Sequence, residues 1–264
     1  MSWLKSSVLG YALHRGIAYG ADERQKLDVY TPHRLSAPAP QSAAAPVLLF
    51  FYGGGWEGGT RGRYRALGRT FARAGIVTVV ADYRLYPQVT YPAFVEDAAG
   101  ALAWARAHIA AFGGDPGRIF LSGHSAGAYN AVMLASEPGF IAARGGSLDW
   151  IAGVIGIAGP YDFLPLQEAA YIAIFHGANN ADSQPIHHVT GVRPPMLLVT
   201  GDRDTVVDPG NSARMAAKLA AAGGQARVIR YSGVGHVGVI LSLLPWLRWR
   251  APLRRDMLDF IRDH

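Results

Sequence analysis

The sequence predicts an α/β fold with a mostly parallel sheet covered by helices on both faces, and three patterns predict it. Short apolar segments such as Val47–Phe51, Ile76–Ala81, Ile151–Ile157 and Met196–Thr200 recur along the chain, apolar at nearly every position. A strand of that kind has both faces buried, as in a parallel sheet between helical layers. Helix-length stretches separate these segments, so the order alternates strand and helix. The residues with chemical potential fall just past the strands, at the carboxyl edge where such sheets place their sites.

The 264 residues, half of them hydrophobic and 17% charged, suffice for one large domain with a sizeable core. We read residues 1–264 as that single domain, with a small cap or lid insertion at about 159–194. The chain has no Cys, which excludes disulfides, thiolate-held metals and a thiol nucleophile. A net charge of +6 suits an anionic partner, but the Arg residues are scattered and no nucleic-acid module is present, so none is expected. No apolar run is long enough to cross a bilayer, so stable membrane insertion is not expected. The first residues lack a signal-peptide pattern. The cytoplasm is therefore the expected compartment, with periplasm or secretion open if the N-terminus is trimmed. A homodimer stays open.

In order, Ile17–Tyr19 and Leu27–Tyr30 read as two short strands joined by a turn at Asp22–Gln25. Ser36–Pro46 is a Pro/Ala-rich surface loop. Val47–Phe51 is a central strand that runs into Tyr52-Gly53-Gly54-Gly55-Trp56. Consecutive glycines leave backbone N–H groups uncovered and able to face a developing oxyanion. Arg63–Arg73 reads as a helix, Ile76–Ala81 as a buried strand, and the stretch from Tyr91 to about Ala111 as a long helix ended by Gly113-Gly114-Asp115-Pro116. After the strand Arg118–Leu121 comes Gly123-His124-Ser125-Ala126-Gly127, then a helix from about Ala131. A Ser between glycines two before and two after, on a strand-to-helix turn, is a nucleophile elbow. The glycines are required because side chains there would strike the flanking strand and helix. Ile151–Ile157 and Met196–Thr200 are further strands, Ala213–Ala222 a helix, Arg227–Tyr231 the last strand, and Met257–Ile261 part of a final helix.

A Ser hydroxyl is a weak nucleophile until a base takes its proton, and an imidazole base needs a carboxylate to fix its tautomer. Past Met196–Thr200 lie Asp202, Asp204 and Asp208; past the last strand lies His236 in Gly233-Val-Gly-His236. His187-His188 sit side by side on an irregular loop, a poor arrangement for one ion, so no metal is implied.

Taken in order, Tyr52-Gly-Gly-Gly-Trp56, Asp82-Tyr-Arg-Leu-Tyr-Pro87, Gly123-His-Ser-Ala-Gly127, Gly201-Asp-Arg-Asp204 and Gly235-His236 resemble an α/β-hydrolase of the bacterial carboxylesterase group. That group is similar to hormone-sensitive-lipase-like and feruloyl-type esterases and to arylformamidases. The resemblance implies Ser125 as nucleophile, Asp204 as acid and His236 as base. It implies backbone N–H groups of Gly54, Gly55 and Ala126 as the oxyanion hole, and no cofactor. Asp202 is then left to shape its turn and Asp208 to cap the following helix. Many relatives carry His where this chain has Tyr52, a position that organises the loop. His124 is expected as a structural neighbour. Trp56, Tyr129 and Tyr161 are candidate pocket residues, with Phe163, Tyr171 and Phe175 as further walls.

The expected function is hydrolysis of a small carboxylic ester through an acyl-enzyme on Ser125, with short acyl chains preferred because a modest cap leaves a shallow pocket. The alternatives are an arylformamidase or other amide-directed hydrolase of the same fold, and a non-catalytic ligand-binding homologue. The apolar and basic run Leu243–Arg250 is expected to pack its apolar residues on the core rather than meet a membrane.

Overall fold

The computed structural model describes residues 10–33 and 44–264. Eight strands form one sheet: β1 (Tyr11–Ala18), β2 (Lys26–Pro32), β3 (Ala45–Phe51), β4 (Val77–Ala81), β5 (Gly114–His124), β6 (Gly153–Ile157), β7 (Met196–Gly201) and β8 (Ala226–Tyr231). Their order across the sheet is β1-β2-β4-β3-β5-β6-β7-β8. The first two are an antiparallel hairpin and β2 is antiparallel to β4; every later pair is parallel.

The register positions the site. Phe51 pairs with Gly123, His124 with Ile157, Ile157 with Val199, and Gly201 with Tyr231. The carboxyl ends of β3, β5, β6, β7 and β8 therefore lie along one edge, and the loops that leave them share one side of the sheet.

The helices are α1 (Arg65–Ala72), α2 (Ala93–His108), α3 (Ala126–Ser136), α4 (Gly139–Ala142), α5 (Ala169–Ile174), α6 (Gly210–Ala221), α7 (His236–Leu241) and α8 (Leu253–Asp263). Every residue of α3 is buried, consistent with its small and apolar sequence AGAYNAVMLAS. It is a central helix rather than an amphipathic one. On α8 the buried Leu253, Met257, Phe260 and Ile261 recur at helical spacing, and Phe260 meets Phe120 edge-on at 6.1 Å. Among the described residues no helix is long and apolar enough to cross a membrane.

Buried ion pairs tie the loops at the carboxyl edge. Arg61 bridges Asp28, at 2.8 Å, and Asp82. Asp97 on α2, wholly buried, accepts from the backbone and guanidinium of Arg84 and from Gln25 Nε2. Asp97→Ala would leave Arg84 without its carboxylate and Gln25 without an acceptor. A loss of about 3 kcal/mol in unfolding free energy is expected from denaturant titration.

Several elements differ from expectation. β1 begins at Tyr11, six residues before Ile17, because its exposed middle His14-Arg15-Gly16 breaks the apolar pattern; the register also shifts there. The loop expected at Ser36–Pro46 falls largely outside the described residues, and its last two residues already belong to β3. The helix expected at Arg63–Arg73 starts as a 3-10 turn, Arg61–Tyr64. The segment 159–194 carries α5 and two 3-10 turns, and His188 Nδ1 pairs with Glu137 Oε2 at 2.8 Å beyond the end of α3. In the run Leu243–Arg250 only Leu243 is wholly packed; Trp246 and Trp249 stand out in solvent, contrary to the expectation that its apolar residues pack on the core.

Candidate active site

Ser125 sits between β5 and α3 at φ 55°, ψ −123°, a conformation that strains a residue with a Cβ. The turn is held because Ser125 N–H donates to Ile157 O at 2.9 Å and Ser125 O accepts from Tyr129 N at 3.1 Å. The flanking glycines are steric necessities. A Cβ on Gly123 would lie 2.1 Å from Gly127 O, and one on Gly127 would lie 2.1 Å from Phe51 O. Gly127→Ala would therefore push α3 off β3. It is expected to lower the melting temperature by several degrees or prevent folding, which a thermal melt reads directly.

His236 is the first residue of α7, just past β8. Its Nδ1–H donates to Asp204 Oδ2 at 2.8 Å. The other carboxylate oxygen, Oδ1, accepts from the N–H groups of Val206 and Val207, each at 2.9 Å. Burial works against the charge on Asp204, but the His236 bond and the two backbone donors outweigh it and hold its carboxyl below the usual range. An ionised carboxylate only accepts, so the proton of His236 lies on Nδ1 and leaves Nε2 as an acceptor. Asp202 Oδ1 instead accepts from Gly233 N at 2.7 Å and ties the two loops together. Asp208 Oδ1 accepts from Gly210 N at 2.9 Å at the start of α6, and Oδ2 pairs with Arg214 at 3.0 Å.

His124 is buried against His236, with ring centroids 4.8 Å apart, and its Nε2–H donates to His236 O at 3.1 Å. Burial, helped by the neighbouring His236, pushes its pKa down to about 4, so His124 is neutral in the fold. The unfolded chain takes up a proton near pH 6.5 and the folded chain does not until about pH 4. His124 therefore costs stability as pH falls through that window and costs none above it, by about 3 kcal/mol at most. His124→Gln is expected to flatten unfolding free energy against pH between those values, measured by urea titration.

The glycine loop turns sharply, with φ at 144° for Gly54, 62° for Gly55 and 61° for Trp56. A Cβ on Gly54 would lie 2.2 Å from Gly58 O. Gly53 N–H donates to Tyr64 Oη, whereas the N–H groups of Gly54, Gly55 and Ala126 find no acceptor among the described residues. Tyr52 fastens this loop. Its ring stacks on Tyr83 at 4.7 Å, its Oη accepts from Arg24, and its carbonyl accepts from Tyr83 Oη at 2.7 Å.

Two cavities, about 450 Å³ and 370 Å³, meet at Ser125 and share Gly55, Tyr171 and Val206. His236, Val237, Ile240 and Leu244 line the first. Trp56, Ala126, Pro160 and Phe163 line the second, with Asp208 and Arg214 also contributing to it. Trp56 both lines the cavity and packs inward, donating through Nε1 to Asn130 Oδ1 at 3.1 Å. The other pocket expectations need correction. Tyr129 is wholly buried and its Oη–H donates to Ser183 O at 2.6 Å; Tyr161 and Phe175 are also wholly buried, and none of the three reaches either cavity. The side chains of α7 and of Leu243-Leu244 were not anticipated as cavity walls. Their signal was the apolar run after His236, interrupted by Gly238 and Ser242.

Comparison with known proteins agrees with this geometry. The BD-FAE family model matches residues 27–219, a span that includes Ser125 and Asp204 and ends before His236. The chain is 29% identical over 253 residues to the probable isoprenylcysteine alpha-carbonyl methylesterase ICMEL1 of Arabidopsis thaliana, covering 87% of this chain and 52% of that protein. It is 33% identical over 247 residues to the esterase LipC of Mycobacterium tuberculosis, covering 86% of this chain and 60% of that one. The chain thus spans little more than half the length of these relatives. Among solved structures, the Thermogutta terrifontis esterase 2 phosphorylated by paraoxon superposes with a TM-score of 0.68 at 26% identity, over 86% of this chain and 84% of that one. With most of its length inside that family match and its strands in this order, the chain belongs to the BD-FAE family and has the α/β-hydrolase fold.

Proposed function

We propose that this chain is a serine hydrolase that cleaves carboxylic esters. One observation carries the reading: His236 is held by Asp204 with its Nε2 free, in the same cavity as Ser125 on its strained turn. Ser125 Oγ attacks the ester carbonyl carbon while His236 Nε2 takes the hydroxyl proton. The carbonyl oxygen becomes an oxyanion facing the N–H groups of Gly54, Gly55 and Ala126. His236 returns the proton to the alcohol oxygen as the carbon–oxygen bond breaks. Water, deprotonated by His236, then releases the acid and restores Ser125. The relatives' names support ester chemistry, and capture of the Thermogutta terrifontis esterase 2 in a phosphorylated form supports a reactive nucleophile in this fold.

The two cavities then divide the substrate. The leaving oxygen must lie within reach of His236, so the alcohol occupies the cavity lined by His236 and α7, and the acyl chain the smaller one beside Trp56 and Ala126. The segment 159–194 acts as a small cap, with Phe163 and Tyr171 walling the acyl side. Each buried CH₂ adds about 0.8 kcal/mol until the chain meets that wall. The alcohol cavity, about 450 Å³, is far larger than a methyl group, so esters of larger apolar alcohols are the expected substrates.

A panel of p-nitrophenyl acetate, butyrate, octanoate and palmitate tests this, with an N-formyl anilide beside it. kcat/KM is expected to peak between acetyl and about hexanoyl. A steady rise through palmitate contradicts the division of the cavities. Faster turnover of the anilide than of any ester contradicts the ester reading.

A further inference from the structure

Between α7 and α8 the chain makes a turn that the catalytic reading does not use. Leu243 and Ala251 anchor it in the core, while Trp246 and Trp249 are 66% and 76% exposed. Beside it on α7, Val237 and Leu241 are 55% and 40% exposed and stand at the wall of the larger cavity with Leu243 and Leu244. Apolar surface thus runs from the cavity lip to the turn, whose backbone closes through Leu247 N–H to Leu244 O and Arg250 N–H to Leu247 O.

The cations of this face lack counter-charges. Arg248, Arg250 and Arg254 have no carboxylate partner among the described residues, and Arg254 Nε is buried with no hydrogen-bond acceptor. The nearest acid in sequence, Asp256, is already engaged by Tyr231 Oη–H at 2.6 Å and by Arg255 at 3.3 Å. Arg250 lies 5.0 Å over the ring of Trp249. Partial burial and then the charge of Arg248 push the Arg254 guanidinium below its ordinary pKa. Positive charges crowded with no anion beside them leave a site for an external anion.

We propose that the turn 245–250 and the adjoining face of α7 form a docking surface for an anionic lipid membrane. Indole rings settle at the boundary between headgroups and acyl chains, and guanidinium groups next to them reach the phosphates. Val237 and Leu241 extend the apolar footprint. Such docking is peripheral and weak, since it rests on a few side chains and on charge that salt screens. None of the four residues altered in the test lines either cavity, so their substitution leaves the catalytic groups in place.

The test is co-sedimentation of the protein with vesicles of phosphatidylcholine alone and of phosphatidylcholine mixed with phosphatidylglycerol, at low and at physiological salt. Binding is expected only to the mixed vesicles, stronger at low salt, with a blue shift of Trp emission. Each Arg near an anionic surface contributes a factor of about 5 in affinity, so Arg248→Gln with Arg250→Gln is expected to weaken binding about 25-fold. Trp246→Ala with Trp249→Ala is expected to remove the blue shift. Unchanged melting temperature and unchanged hydrolysis of a soluble acetyl ester show that a variant is folded. Arg250→Gln alone, at an exposed position, serves if a double variant is not. Equal binding to both vesicles, binding that the variants do not weaken, or no vesicle binding overturns the proposal. So does variant-sensitive self-association, or oligonucleotide binding in its place.

Discussion

Ser125→Ala is expected to lower kcat for p-nitrophenyl butyrate by roughly 10⁶-fold, the scale set when a triad loses its nucleophile. The nearest Ser in sequence, Ser122, is buried in β5 with its Oγ–H committed to Ile155 O at 2.9 Å. The substitution keeps a Cβ at the strained position and leaves both flanking glycines in place, so the melting temperature should hold. The N–H groups of Gly54, Gly55 and Ala126 and the Asp204–His236 pair also remain, and under the proposed mechanism they leave a residual rate above that in water. An activity within tenfold of the native protein would mean that hydrolysis does not pass through Ser125.

Asp204→Asn is expected to cost about 10⁴-fold in kcat, with Asp202→Asn and Asp208→Asn within about tenfold of native. The asymmetry follows from what each carboxylate touches. Asp204 accepts the Nδ1–H of His236, and an amide turned to keep the Val206 and Val207 bonds presents NH₂ to that ring. The imidazole then carries its proton on Nε2, where the Ser125 proton must go. Asp202 and Asp208 hold backbone turns and do not meet His236. The depressed pKa of Asp204 also sets a sign. Its contribution to stability is complete above the carboxylate range of the unfolded chain. It fades as pH falls through the lower folded value, and Asp204→Asn should remove that acid-side loss. If Asp202→Asn is the damaging change, the acid is misplaced by two residues.

The parts of this site written as local rules were legible in the sequence. The glycines around Ser125 announce a turn in which two backbones nearly touch, and Gly123 and Gly127 do lie where a Cβ would strike carbonyl oxygen. Asp204 is implied by the resemblance, which places the acid third after the strand-end Gly201, and Asp202 instead closes on Gly233. The cavity walls were not legible, since they depend on which side of a helix or loop faces which neighbour. Tyr129 and Tyr161 lie close to Ser125 in the chain or on the next strand's loop, yet both point into the core. The helix that begins at His236 was masked by the glycines around it, Gly233, Gly235 and Gly238, which depress helix propensity until packing fixes the segment. The exposure of Trp246 and Trp249 likewise follows from the anchoring of Leu243 and Ala251 on either side, which composition does not express.

The intact mass of the folded protein after a fluorophosphonate probe, followed by peptide mapping, reads the nucleophile directly. One adduct is expected, on the peptide that holds Gly123-His124-Ser125-Ala126-Gly127, with slower labelling in the Asp204→Asn variant because His236 no longer takes the Ser125 proton. An adduct on any other Ser, or a folded protein that hydrolyses esters without forming one, would contradict Ser125 as the nucleophile.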